Sequence, residues 1–326
     1  MNTLEVKNLK TYFYTRRGII KAVDDVSFSV KPGETLGIVG ESGCGKSITC
    51  LSLMGLVPQP AGKIVGGEIL LEGENLLEKS EKEMSKIRGS RMSMILQDPM
   101  TSLNPVFTVG EQVSWPIRLH QKLAKNEILG KVIDILRLVK IPSPEVRVKE
   151  FPHQMSGGMS QRIVGAMALS CQPKLLIADE PTTALDVTIQ AQFLKLLKSI
   201  QVEFGLSLIM VTHDLGIVAK ICDRVVVMYA GKVVETAPIR EIFNHPSHPY
   251  TIALLNSLPK VEKKVEMLYT IEGQPPDLGK LTAACSFAPR CPQAMEQCLK
   301  LAPELAEIAT DHSISCWLAE SMKDTA

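Results

Sequence analysis

Neither sign of charge dominates this chain: 36 Lys and Arg stand against 35 Asp and Glu across 326 residues, a formal net charge of +1. No block of basic residues disturbs that balance, so nothing points to a nucleic-acid surface or partner. Long hydrophobic runs are missing too. The longest apolar stretches, such as residues 206–211 and 225–229, fall far short of the roughly 20 residues that a membrane-spanning helix needs. The first residues, Met1-Asn2-Thr3-Leu4-Glu5, lack the charged-then-apolar order of an export leader. The expected compartment is therefore the cytoplasm, with cysteines reduced or metal-bound. What remains is an ordinary globular composition, 45% hydrophobic, able to build one large domain plus an appendage.

The stretch Gly40-Glu41-Ser42-Gly43-Cys44-Gly45-Lys46-Ser47 fits G-x-x-x-x-G-K-[ST] without a mismatch. A buried-strand run (residues 36–39) precedes it, and residues 48–54 continue at helical spacing, the context a phosphate-binding loop requires. Glycines let successive N–H groups turn inward, and the helix N-terminus adds its positive dipole end.

Upstream, residues 3–30 alternate apolar and polar around Arg16-Arg17-Gly18, predicting antiparallel strands. Tyr12-Phe13-Tyr14 closes the first of them, as core or as a ring available to stack. Downstream, strands are expected over 66–73 and 92–96, the latter ending at Gln97-Asp98-Pro99. Apolar positions at helical spacing over 109–140 predict a helical insertion closed by Ile141-Pro142-Ser143-Pro144. Gln154-Met155-Ser156-Gly157-Gly158-Met159 then opens a helix with a serine cap and exposed N–H groups, a second anion-binding geometry. The run 174–178 is a buried strand delivering Asp179 and Glu180 in succession, which is costly unless a cation or a reaction needs them. Another strand (206–211) ends at Thr212-His213-Asp214, and a strand pair turns at Ala230-Gly231.

These elements resemble, in order and spacing, the nucleotide-binding subunits of ATP-binding cassette (ABC) transporters, over roughly residues 3–245. The resemblance implies an α/β P-loop NTPase cassette: a parallel core sheet, an N-terminal antiparallel β subdomain, a helical subdomain over about 98–168 and a cysteine-rich C-terminal extension. By that likeness loop 40–47 is the Walker A loop, with Gly40, Ser42, Gly43, Cys44, Gly45, Lys46, Ser47 and Ile48 around the phosphates. Gln97 is the Q-loop glutamine, Asp179 and Glu180 close Walker B, Ala184-Leu185-Asp186 is the D-loop and His213 the switch histidine. Phe13 is the adenine-stacking ring, with Tyr12 and Tyr14 as alternatives. Two such subunits, identical or related, would face head to tail, Ser156, Gly157, Gly158 and Asp186 of one reaching the ATP of the other. Mg²⁺ would be held by Ser47, Gln97 and, through water, Asp179; Glu180 would polarise the attacking water and His213 would hold the γ-phosphate. The signature stretch departs from LSGGQ as Met-Ser-Gly-Gly-Met, keeping the serine and both glycines.

The remainder, residues 246–326, is similar to the C-terminal region of oligopeptide and dipeptide importer ATPases from His245-Pro246-Ser247-His248-Pro249-Tyr250-Thr251 onward. Further on, Cys285-x5-Cys291-Pro292-x5-Cys298-x17-Cys316 is similar to the quartet that some members use to bind a [4Fe-4S] cluster. A plain reading of the residues also supports a Cys₄ metal shell, although no spacing is the C-x-x-C usual for zinc. Cys50, Cys171 and Cys222 read as small core residues. The implied function is ATP hydrolysis driving di- or oligopeptide uptake, with two membrane-spanning permease subunits, an extracytoplasmic binding protein and a peripheral position on the cytoplasmic membrane face. A nickel or other small-solute importer is the alternative. Soluble cassette ATPases of translation or repair fit less well: only one cassette is present, and 47–156 carries no extended heptads.

Overall fold

The computed structural model describes residues 1–183, 185–258 and 269–319. Ala184 of the D-loop stretch, and residues 259–268 and 320–326 of the C-terminal region, lie outside them. In chain order, β1 (Leu4–Thr15), β2 (Gly18–Val30) and β3 (Thr35–Val39) lead to α1 (Lys46–Leu53), β4 (Gly62–Leu71), β5 (Glu74–Asn75) and α2 (Glu81–Ile87). Next come β6 (Met92–Ile95), α3 (Pro99–Ser102), α4 (Val109–His120), α5 (Lys125–Leu138), α6 (Pro144–Arg147) and α7 (Gly157–Leu169). Then follow β7 (Leu175–Asp179), α8 (Val187–Phe204), β8 (Ser207–Val211), α9 (Leu215–Ile221), β9 (Arg224–Tyr229) and β10 (Lys232–Pro238). The last elements are α10 (Ile239–Asn244), α11 (Pro249–Asn256), β11 (Ala306–Ala309) and β12 (His312–Ile314).

They group into two compact units, one of Met1–Leu4, Val30–Thr35 and Leu70–Val211, the other of Glu5–Ser29, Leu36–Ile69 and Thr212–Ala326. In the first, β6, β7 and β8 pair in parallel, Met92 with Leu175 and Asp179 with Val211 marking the register. Every residue of β7 and β8 is buried, as continuous apolar strands between two covered faces must be. The helical insertion packs α4 against α5 and α7. Thr108 and Glu111 cap α4 reciprocally, and Val113 and Ile117 on its inner face are fully buried, each worth about 1.5–3 kcal/mol of apolar transfer.

In the second unit β1 lies between β2 and β4, forming the antiparallel N-terminal sheet. Its β4 starts at Gly62, earlier than the glycine pair at 66–67 suggests. The remaining strands correct the expectation of a parallel core sheet, because the sheet is mixed. Residues Leu36–Val39 of β3 run parallel to β9, but β10 returns antiparallel to β9. The cause is the tight turn at Ala230 and Gly231, with φ of +50° and +80°, the pair of left-handed conformations that folds a strand straight back. Two short strands that the sequence did not announce extend this edge, β12 pairing with β10 and β11 with β12, both antiparallel.

Candidate functional site

The second unit builds the glycine loop directly off the buried end of β3. Gly40 and Gly45 have φ of +151° and +107°. A Cβ on Gly40 would run into the Met228 carbonyl and one on Gly45 into the Ala22 carbonyl, so only glycine fits either place. No side chain caps α1, which leaves the loop as a backbone N–H surface of the kind that receives phosphate. Lys46 is 5% exposed, its Nζ donating to the Gly40 and Glu41 carbonyls at 2.8 and 2.9 Å. Cys44 packs under the loop, its Sγ 3.8 Å from that ammonium. Ser42, Gly43 and Ser47 are exposed and Ile48 half-buried.

His213 is exposed and shares one cavity wall with Gly40, Glu41 and Tyr269. Phe13 is half-buried, its ring edge against Gly62. The flanking rings are otherwise engaged: the Tyr12 hydroxyl donates to Asp24 at 2.6 Å, and Lys63 lies 5.8 Å above the exposed Tyr14 ring.

The first unit gathers the carboxylates. Asp179 ends β7 at 5% exposure. Glu180 follows with φ of +45°, a left-handed conformation costing a non-glycine residue about 1–3 kcal/mol and characteristic of functional positions. Its carboxylate accepts from Gln97 Nε2 at 3.0 Å and from Thr183 Oγ1 at 3.1 Å. Thus Gln97 and Glu180 meet across 83 positions of sequence, and Thr183, which no motif singled out, supports the same oxygen. Ser156 caps α7 by accepting from the Met159 N–H at 3.3 Å. Gly158 is required internally, since a Cβ there would meet Ile189 at 2.7 Å, whereas a Cβ on Gly157 would meet nothing within 4 Å. Asp186 caps α8, accepting from the Thr188 and Ile189 N–H groups, each at 3.0 Å. The oxygen donors of Gln97 and Asp179 are of the hard type that Mg²⁺ takes.

In the second unit Cys285, Cys291, Cys298 and Cys316 line one pocket of about 330 Å³ together with His248, Phe287 and Trp317. All four are thiols rather than disulfides. Burial pushes Cys285, Cys291 and Cys316 up, and neighbouring thiols of the quartet push the same way. Among the described residues no three His, Cys, Asp or Glu side chains form a group that could hold a metal ion. The four thiols nevertheless line one largely apolar pocket. The pocket is anchored by buried Glu235 of β10, which accepts from the Ser247 and His248 N–H groups at 2.9 and 3.0 Å and from His312 Nε2 at 2.8 Å. Burial lowers His248 to about 4, so its neutral ring accepts from the Tyr250 N–H at 3.0 Å. The expectation of buried core thiols holds for Cys50 and Cys222; Cys171 is half-buried.

Comparison with known proteins adds the lineage. The ABC transporter family matches residues 23–183, and the oligopeptide/dipeptide transporter C-terminal region matches residues 234–298. A probable peptide ABC transporter ATP-binding protein of Sinorhizobium fredii is 50% identical, covering 96% of this chain and 94% of its own length. The dipeptide transport ATP-binding protein DppD of Bacillus subtilis is 50% identical, covering 99% of this chain and 96% of its own. Among solved structures, the dimeric structure of MJ0796, a bacterial ABC transporter cassette, is 27% identical with a TM-score of 0.65, over 73% of this chain and 99% of that one. With the glycine loop, the paired carboxylates and the matched C-terminal region in one chain, the protein belongs to the ABC transporter ATP-binding proteins of the oligopeptide/dipeptide family.

Proposed function

We propose that this chain is the ATP-binding subunit of an ABC importer of di- or oligopeptides, hydrolysing ATP to ADP and phosphate to drive uptake. The observation that carries the reading is the Glu180 carboxylate, held in a strained backbone position by Gln97 and Thr183 at the end of the Asp179 strand. A carboxylate held there would serve as the base that orients a water. The relatives' names, a dipeptide transporter subunit among them, supply the substrate class.

Loop 40–47 would bind the phosphates through its N–H groups, with Lys46 leaving its loop carbonyls for the β- and γ-oxygens. Phe13 would stack on adenine, and Ile48 would offer its N–H to the α-phosphate. Mg²⁺ would be held by Ser47, Gln97 and, through water, Asp179, and would offset charge on the phosphate oxygens. Glu180 orients the attacking water and His213 donates to the γ-phosphate. Ser156, Gly157, Gly158 and Asp186 would serve a second, identical or related subunit; the cassette solved as a dimer is a precedent for pairing. The open side of Gly157 suits that approach.

Residues 1–245 would be the nucleotide-binding domain, with a helical subdomain over about 98–168, and residues 246–326 the C-terminal region. No helix among the described residues is long and apolar enough to cross a membrane. A peripheral place on the cytoplasmic face, beside two permease subunits fed by an extracytoplasmic binding protein, completes the assembly. Cys285, Cys291, Cys298 and Cys316 would hold a [4Fe-4S] cluster, which staples a segment poor in large apolar side chains.

Two experiments test this. Lys46→Ala is expected to abolish measurable ATP binding in a fluorescent-nucleotide titration; parent affinity would remove the loop from the site. Anaerobically purified chain is expected to carry about four irons and as many sulfides, lost in Cys291→Ser. Stoichiometric zinc, or no metal, would dismiss the cluster and leave the ATPase reading standing.

A further inference from the structure

One loop residue is gripped from far along the chain. Glu41 holds the first variable position of the glycine loop, yet every polar group it has is committed. Its N–H donates to the Tyr250 hydroxyl at 2.9 Å, and its carbonyl accepts from Lys46 Nζ at 2.9 Å and from the Cys44 N–H at 3.3 Å. Both carboxylate oxygens are taken by Arg290, at 2.7 and 3.0 Å. Arg290 immediately precedes Cys291, and its side chain is only 5% exposed.

The guanidinium is itself fixed on all sides. Nε donates to the Glu272 carbonyl at 2.9 Å, one terminal nitrogen to the Tyr229 hydroxyl at 3.3 Å and the other to the Ile271 carbonyl at 3.4 Å. Tyr229, Tyr250 and Phe287 form a closed aromatic cluster beneath it, with centroids 4.6, 5.3 and 5.4 Å apart. All three are at most 2% exposed. A fork on a carboxylate is the strongest and most directional of the ordinary ion pairs, and burial makes leaving either partner alone costly.

A loop that receives a polyphosphate is an unfavourable place for a carboxylate, since like charges at close range repel. Arg290 removes that objection by neutralising Glu41 and turning its carboxylate towards the C-terminal region, while Tyr250 holds the backbone at the same residue. We infer that Arg290, assisted by Tyr250, is a positioning residue for ATP: the C-terminal region completes the phosphate loop by clamping and neutralising Glu41. This rests on the proposed binding of ATP phosphates at loop 40–47, and adds to it that Tyr250 and Arg290 set the affinity.

The test is a double-mutant cycle on the full chain, reading Mg-ATP affinity by titration, and KM and kcat in the assembled transporter. Arg290→Ala is expected to weaken ATP binding about tenfold or more and to raise KM by a similar factor while kcat at saturating ATP stays near the parent's. Arg290→Lys, which keeps the charge without the fork, is expected to lose less. Adding Glu41→Gln to Arg290→Ala is expected to recover most of the loss in affinity when all variants are titrated well below their unfolding temperatures, where relief of a lone buried carboxylate's cost to the fold does not register. Parent affinity in Arg290→Ala, or a loss that Glu41→Gln deepens additively, overturns the inference. Should Arg290→Ala not fold, the same cycle is run with Arg290→Gln, whose amide keeps a donor at the site. Lys46→Ala runs alongside: if it too binds ATP normally, the loop reading fails, whereas its loss beside an unaffected Arg290→Ala rejects only the clamp.

Discussion

Glu180→Gln is expected to bind ATP with close to parent affinity and to hydrolyse it about 10²- to 10⁴-fold more slowly, the usual share of a general base. That factor corresponds to about 3–5 kcal/mol of transition-state stabilisation. The substitution is nearly isosteric, and a glutamine oxygen can still accept from Gln97 Nε2 and Thr183 Oγ1, which hold the present carboxylate at 3.0 and 3.1 Å. The backbone is retained as well, because the Glu180 N–H donates to the Val211 carbonyl at 2.9 Å whatever the side chain. Only the negative charge and the basicity disappear. Single-turnover hydrolysis and nucleotide titration on the same preparation separate the two effects. Turnover close to the parent's would take the base role from Glu180, and loss of ATP binding in step with turnover would make the residue a structural one.

The sequence carries the site's chemistry where a motif fixes both residue type and neighbourhood. Loop 40–47 is legible because two glycines, a lysine and a serine must stand at set distances between a buried strand and a helix, and β3 and α1 supply both. Asp179 and Glu180 are legible for a related reason, since acids closing a fully buried apolar strand need a purpose. His213 is ordinary by itself and acquires meaning only in company with the others. What stays hidden is whatever depends on long-range closure. Arg290 lies 249 positions from Glu41, and a single arginine beside a cysteine carries no periodic signal. Thr183 reaches Glu180 only because the chain turns back through a left-handed residue. Strands β11 and β12 carry no sequence signal because they are short and form by adding to an edge, β10, that their own residues do not encode. The mixed character of the sheet was written in Ala230-Gly231, but strand direction is a property of the turn rather than of the apolar run.

The glycines of the loop are not equivalent, and the difference predicts two contrasting variants. Gly45 has φ of +107°, and a Cβ there would enter the van der Waals envelope of the Ala22 carbonyl, a backbone group that cannot rotate away. Gly43 has φ of +78°, but a Cβ there would meet no protein atom within 4 Å. Gly45→Ala therefore faces both left-handed strain and a fixed obstacle. The loop can escape only by moving off Ala22, which spreads the N–H groups that converge on phosphate and displaces the first residue before α1. The expected result is a lower unfolding temperature without nucleotide and an ATP affinity reduced about 100-fold or more, the equivalent of about 3 kcal/mol of reshaping. Gly43→Ala faces strain alone, about 1–2 kcal/mol, so the unliganded chain is expected to unfold close to the parent temperature. Its cost falls on the ligand, because the new methyl group occupies the open side from which phosphate approaches. Thermal unfolding of both variants with and without Mg-ATP reads the contrast. If the two lose unliganded stability equally, the Ala22 carbonyl is not what makes Gly45 necessary, and the loop is shaped by its own backbone preferences instead.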